Sequence, residues 1–192
     1  MPKALGPRFR GDDDVAQPLR AKRRYHYPPA APRDPGDSLP LMPFLDLLPQ
    51  ERVRTDLVAS DKASLIARLA ELLAGDDDVR TVQSALEARE QLGSTGLGHG
   101  VAIPHGRSAS VAEPRAAFVR LANPIDFGAD DRKPVDLVAA LIVPEHFTDQ
   151  HLKLLAELAE LFSDTELTAE LRAVPDARAL RDLLHKAKAG AR

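Results

Sequence analysis

Three side chains carry most of the chemistry this sequence can offer: Arg89, His105 and His151. His105 stands in the run Gly93-Ser94-Thr95-Gly96-Leu97-Gly98-His99-Gly100-Val101-Ala102-Ile103-Pro104-His105-Gly106-Arg107. Pro104 fixes its own φ and has no amide proton to donate. His105 is therefore expected at the stiff end of a short strand, with Gly106 as a hinge that leaves the imidazole uncovered. A histidine presented in this way serves as nucleophile, acid, base or metal ligand. Arg89 falls near the end of a helical pattern that feeds the glycine run, and His151 falls in the first turn of the longest helix. Two histidines, an arginine and a helix N-terminus suit an anion better than a divalent cation. No Asp or Glu sits at ligand spacing from either histidine, so no metal site and no cofactor is expected.

A phosphoryl group fits this set. Its transfer needs in-line positioning and N–H or cationic donors for the equatorial oxygens. A neutral imidazole, with an unperturbed pKa near ~6.5, attacks phosphorus without first losing a proton. On this reading His105 is the nucleophile and transient phosphate carrier. His151 donates a hydrogen bond to the phosphate or holds the ring orientation, and Arg89 neutralises developing charge. Plainer readings stay open beside it: His151 as a surface residue at a helix start, and Arg89 as a complement to the helix dipole. His99, between glycines, is expected to be only a neighbour, and His26, His146 and His185 are read as surface residues.

The elements that must position these groups follow from periodicity. Val53 to Val58 alternates loosely and reads as a first strand. Ser60 and Asp61 precede a helix with the stripe Leu65, Ile66, Leu69, Leu72, Leu73, closed by Gly75. Asp76-Asp77-Asp78 introduces a second helix that carries Val82, Leu86 and Arg89 and stops at Gly93; the triple Asp reads as helix capping. After the glycine loop come strands at Val101 to Ile103 and Ala116 to Leu121, a turn at Asn123-Pro124, and a short strand from Ile125. The near-continuous apolar run Val135 to Val143 implies a central strand buried on both faces. Thr148 is the expected N-cap of the longest helix, whose stripe Leu152, Leu155, Leu158, Ala159, Phe162 is expected to face the core. Two more helices follow, opened by Asp164 and by Pro175-Asp176. Strands interleaved with helices give an α/β fold: a single domain with a mixed β-sheet flanked by helices on both faces.

Composition bounds the rest. Residues 1–41 hold eight of the sixteen prolines and no apolar periodicity, so a disordered Pro/Arg-rich tail is expected ahead of a domain over 42–192. The basic cluster Arg20 to Tyr27 in that tail is read as solvated. A net charge of −3 predicts no nucleic-acid partner. The chain has no cysteine, hence no disulfide or thiolate site of its own. No run is long enough for membrane insertion and the first fourteen residues lack a signal-like apolar core, so a cytoplasmic location is expected.

The run Arg89-Glu90-Gln91-Leu92-Gly93-Ser94-Thr95-Gly96 through Ile103-Pro104-His105-Gly106 resembles the signature of the enzyme IIA domains of the phosphoenolpyruvate-dependent phosphotransferase system, in their fructose/mannitol/nitrogen-related class. His151-Leu152-Lys153-Leu154-Leu155 resembles the second histidine segment of that family. The likeness covers roughly residue 44 to the C-terminus. It implies that His105 is the phosphorylated residue, on Nε2, with His151 and Arg89 as the supporting histidine and arginine. It also implies a mixed sheet with helices on both faces. The implied donor is HPr or its nitrogen-related paralogue; the implied acceptor is a separate enzyme IIB or a regulated protein. The segment Phe44 to Val53 is most similar to the free-standing nitrogen-regulatory branch, whose members act as regulators. His99 stands where the family more often has Asn, Asp or Glu.

Overall fold

A computed structural model of the chain describes residues 43–190. The tail expected over residues 1–41, with its basic cluster and His26, lies outside the described residues. Two short 3-10 turns, Phe44–Leu47 and Gln50–Arg52, lead into β1 (Val53–Leu57), α1 (Lys62–Ala74) and α2 (Val79–Gln91). Three short strands follow, β2 (Gly96–Gly98), β3 (Val101–Ala102) and β4 (His105–Ser108). Then come the long strands β5 (Arg115–Ile125) and β6 (Val135–Pro144), and three helices, α3 (Asp149–Ser163), α4 (Thr165–Ala173) and α5 (Ala177–Gly190). The sheet runs β1-β5-β6-β3-β2, with β4 also paired to β6. It is mixed: β1 lies parallel to β5, β5 antiparallel to β6, and β3 and β4 both parallel to β6.

β6 shows why its sequence is apolar almost throughout. Successive strand residues point to opposite faces. Leu137, Ala139, Leu141 and Val143 enter one core with Phe118 and with Leu154, Leu158, Phe162, Leu171, Leu180 and Leu184 of α3, α4 and α5. Val138, Ala140 and Ile142 enter the other, with Leu65, Leu69 and Leu73 of α1 and Val82 and Leu86 of α2. The expected layer arrangement and central strand are both present. Local capping agrees as well. Asp61 accepts from the Ser64 amide, Asp78 from the Thr81 amide and Asp164 from the Glu166 and Leu167 amides. Gly75 closes α1 at φ 60°. Among the described residues no helix is long and apolar enough to cross a membrane.

The structure corrects three expectations and meets a fourth, Thr148 as N-cap, in position. The stretch read as a glycine loop contains β2, paired antiparallel to β3. Asn123-Pro124 is not a turn but lies inside β5, where the pairing with β6 skips from Arg120 to Ile125, so the missing proline amide breaks no ladder bond there. Thr148 occupies the N-cap position of α3 without a capping side-chain hydrogen bond. Leu152 is 62% exposed, and the buried stripe is His151, Leu154, Leu158 and Phe162. Leucines at both 152 and 154 allow two phases of the same period; the inward histidine selects one.

Candidate functional site

His105 does not end a strand; it begins one. Ile103 and Pro104 interrupt the line of β3, and pairing with β6 resumes at His105 opposite Leu141 and runs to Ser108 opposite Pro144. Nor does Gly106 act as a hinge that uncovers the ring. It is buried, and a methyl group there would stand 2.9 Å from the carbonyl carbon and oxygen of Ala85 on α2. Glycine is needed because the helix backbone packs directly on the strand backbone. That contact brings the last turn of α2, and with it Arg89, over the imidazole. His105 is consequently 8% exposed rather than open to solvent.

Both ring nitrogens of His105 are engaged. Nδ1 lies 2.8 Å from the carbonyl oxygen of Ile103. A carbonyl only accepts, so Nδ1 carries the proton and Nε2 carries the lone pair. Arg89 Nε donates to that Nε2 at 3.0 Å, and Arg89 Nη1 donates to the Gly93 carbonyl at 3.1 Å. The arginine is thus braced against the loop that follows its own helix.

His151 comes from the first turn of α3, directly after β6, and its ring centroid lies 5.1 Å from that of His105 with the planes tilted by 53°. It is 3% exposed and its Nδ1 is buried without a hydrogen-bond partner. The pKa of His151 is pushed down to about 4, chiefly by burial, then by His105, Arg107 and Arg89. Burial also lowers the pKa of His105; the Ile103 carbonyl opposes this and Arg89 reinforces it. Both rings are therefore neutral near pH 7, which is the state in which Nε2 of His105 is a nucleophile.

The three residues singled out from sequence thus meet around one pocket of about 470 Å³. Three neighbours were not singled out. Arg107 lines the pocket and is exposed, adding a second cation. Leu92, 84% exposed, and Leu152 form apolar walls on the α2 and α3 sides. An exposed leucine beside each of two candidate site residues is a readable signal once the phase of α3 is known. His99 is not part of this pocket. It sits at φ 55° in the tight turn between β2 and β3; its amide donates to Asp131 at 2.8 Å and its carbonyl accepts from Arg172 at 2.7 Å. Among the described residues, no group of three or more His, Asp or Glu side chains is placed to hold a metal ion. A neutral imidazole with a directed lone pair, two guanidinium groups and a helix N-terminus make a receptor for an anionic electrophile such as a phosphoryl group.

The family model for the phosphoenolpyruvate-dependent sugar phosphotransferase system, EIIA 2, matches residues 46–187. A nitrogen regulatory protein of Bradyrhizobium diazoefficiens is 40% identical over 147 residues, covering 74% of this chain and 95% of that protein. One of Pseudomonas aeruginosa is 37% identical over 141 residues, covering 72% and 92%. The crystal structure of nitrogen regulatory protein IIA-Ntr from Neisseria meningitidis superposes with a TM-score of 0.70 at 40% identity, covering 73% of this chain and 97% of that one.

Proposed function

The chain belongs to the EIIA family of the phosphoenolpyruvate-dependent sugar phosphotransferase system, and from that premise we propose that it is a histidine phosphocarrier. His105 accepts a phosphoryl group on Nε2 from phospho-HPr or its nitrogen-related paralogue. A P–N bond forms at Nε2 as the donor's P–N bond breaks, and the donor imidazole leaves with the electron pair. Arg89 stabilises the charge that builds on the equatorial oxygens, as expected of a preorganised cationic donor. His151, neutral and beside the reacting ring, contributes a hydrogen bond to the bound phosphoryl group.

The observation that carries this reading is the state of His105 itself: neutral, its proton fixed on Nδ1, its Nε2 lone pair directed at Arg89. The test is phosphate incorporation from phosphoenolpyruvate, enzyme I and HPr, or from the nitrogen-related pair, followed by intact mass. The expected result is one acid-labile phosphate on the wild type, none on His105→Ala and slower labelling of His151→Ala. A folded wild type that takes no phosphate from either pair overturns the reading.

Within the family we place the chain with the nitrogen-related regulators. Both full-length relatives named above are nitrogen regulatory proteins, and the match runs over nearly their entire length. A regulator needs a surface that reads the phosphate. Leu92 and Leu152 flank the pocket and are exposed. A phosphoryl group adds about −1.5 to −2 charges beside such a surface, which is enough to change what packs on it. Complexes that depend on phosphorylation support regulation; drainage of the phosphate to a cysteine of an enzyme IIB supports sugar transport instead.

A further inference from the structure

The two nitrogens of His105 are held by groups that converge on one short segment, Arg89 and Glu90. Arg89 meets Nε2 directly. The path to Nδ1 runs through Glu90. Its side chain is only 6% exposed, and its carboxylate accepts from the Thr95 amide at 3.1 and 3.2 Å, the Thr95 hydroxyl at 2.5 Å and Lys62 Nζ at 2.8 Å. Thr95, itself buried, uses its carbonyl to accept from the Ile103 amide at 2.9 Å. The Ile103 carbonyl, on the far side of that residue, accepts from His105 Nδ1. Lys62 is fixed in turn by lying 4.5 Å from the centre of the Phe127 ring. A buried carboxylate with this many donors specifies the place of everything bonded to it. Here the thing placed is the Ile103 carbonyl, which decides the histidine's tautomer.

We propose that Glu90 is a positioning residue for His105. Its carboxylate, balanced by Lys62, pins Thr95 and through it Ile103. The Nδ1–H tautomer is then locked and the lone pair stays on Nε2, facing Arg89. Which nitrogen of a histidine is protonated is set by the hydrogen bond the other one makes, and an outer partner acts by fixing that bond. Glutamine at this position cannot replace glutamate. It has one acceptor oxygen, and its NH₂ group would face the donors of Lys62 or Thr95. The kinetic consequence rests on the phosphocarrier reading above; the tautomer consequence does not.

The experiment reads both. The ring nitrogens of His105 are followed by long-range ¹H–¹⁵N spectra in wild type, Glu90→Gln, Thr95→Val and Thr95→Ser, with phosphate acceptance measured on the same samples. Wild type is expected to show the Nδ1–H tautomer alone. Glu90→Gln and Thr95→Val are expected to populate the Nε2–H tautomer and to slow acceptance on the order of 10–100-fold, the scale for removing a group that orients a functional histidine. Thr95→Ser, which keeps the hydroxyl, restores both readouts. A folded Glu90→Gln that keeps a pure Nδ1–H tautomer overturns the proposal, even if the protein is less stable. Should Glu90→Gln fail to fold, Thr95→Val decides by the same readouts. A wild type that accepts no phosphate sinks the functional reading, while the tautomer comparison still judges Glu90.

Discussion

The two sides of β6 are built differently. On one side β5 runs antiparallel in unbroken register, from Arg115 opposite Ile142 to Arg120 opposite Leu137. Between those two arginines its residues are Ala116, Ala117, Phe118 and Val119, all fully buried. On the other side the partner strand is cut in two: β3 pairs at Leu137 and Val138, Ile103 and Pro104 interrupt, and β4 pairs from Leu141 onward. The regular side spends its backbone groups on the ladder. The interrupted side diverts one of them, the Ile103 carbonyl, to a side chain, and that side chain is His105. The regular side holds the fold and the broken side holds the candidate site. β6, shared by both, fixes one against the other.

This division can be tested by damaging each side alone. Phe118 stacks on Phe162 of α3 with centroids 5.6 Å apart and is fully buried. Phe118→Ala should cost about 3–5 kcal/mol of stability, the usual range for deleting a buried aromatic ring. Urea denaturation would show the loss, while the folded fraction should still accept phosphate. Arg89→Ala should do the reverse. It removes a half-buried side chain from a helix end, with little effect on the urea midpoint. It also removes the donor to Nε2, and acceptance should slow by roughly 10²–10³-fold, as for other preorganised donors. If Phe118→Ala instead abolishes acceptance in protein shown to be folded, or Arg89→Ala unfolds the domain, the two sides are not separable.

The same contrast explains what the sequence reveals. β6 is legible because burial on both faces demands apolar residues at every position, and the α1 stripe and the Asp caps are legible because local rules act alone there. Arg89, His105 and His151 stand out by residue type and neighbours, and the structure brings all three together. β4 is not legible: His-Gly-Arg-Ser has no strand-forming pattern, and its conformation comes from pairing with β6. Gly106 looks like a hinge in sequence because the backbone of α2 above it is sequence-distant. Leu152 looks like core because an exposed leucine and a buried one are the same letter. Glu90 is an ordinary helix residue until Thr95 folds back onto it. In each case the missing information is a tertiary contact that local periodicity does not carry.

Gly106 joins the two tests, since it lies on the broken side but packs on a helix of the core. Gly106→Ala puts a methyl group against the Ala85 carbonyl. The strand and α2 must then separate by a few tenths of an ångström or more, at a cost of about 1–3 kcal/mol for overpacking. Because Arg89 rides on α2, acceptance should fall along with stability. A variant that loses stability while keeping the wild-type rate would show that Arg89 does not depend on this close approach.

The smallest effect expected is a slope. His151 is neutral when folded, with its pKa at about 4, against an ordinary value near ~6.5 in the unfolded chain. Between those values the unfolded chain binds the proton that the folded protein refuses, so unfolding becomes easier as protons become available. The stability present above about pH 6.5 is therefore lost as pH falls toward about 4. The depressed pKa of His105 adds to the loss in the same direction. Groups that face His151 from β4 and α2, namely His105, Arg107 and Arg89, keep it neutral by repulsion on top of burial. His151→Leu removes the titrating group together with a buried nitrogen that has no partner. At pH 7 that exchange should be close to neutral in stability, because an unpartnered buried donor or acceptor contributes nothing favourable. At pH 5 the variant should be more stable than wild type. Urea midpoints at the two pH values check this: a variant with the wild-type slope would mean that the acid sensitivity of the fold arises elsewhere, and that burial of His151 serves the site alone.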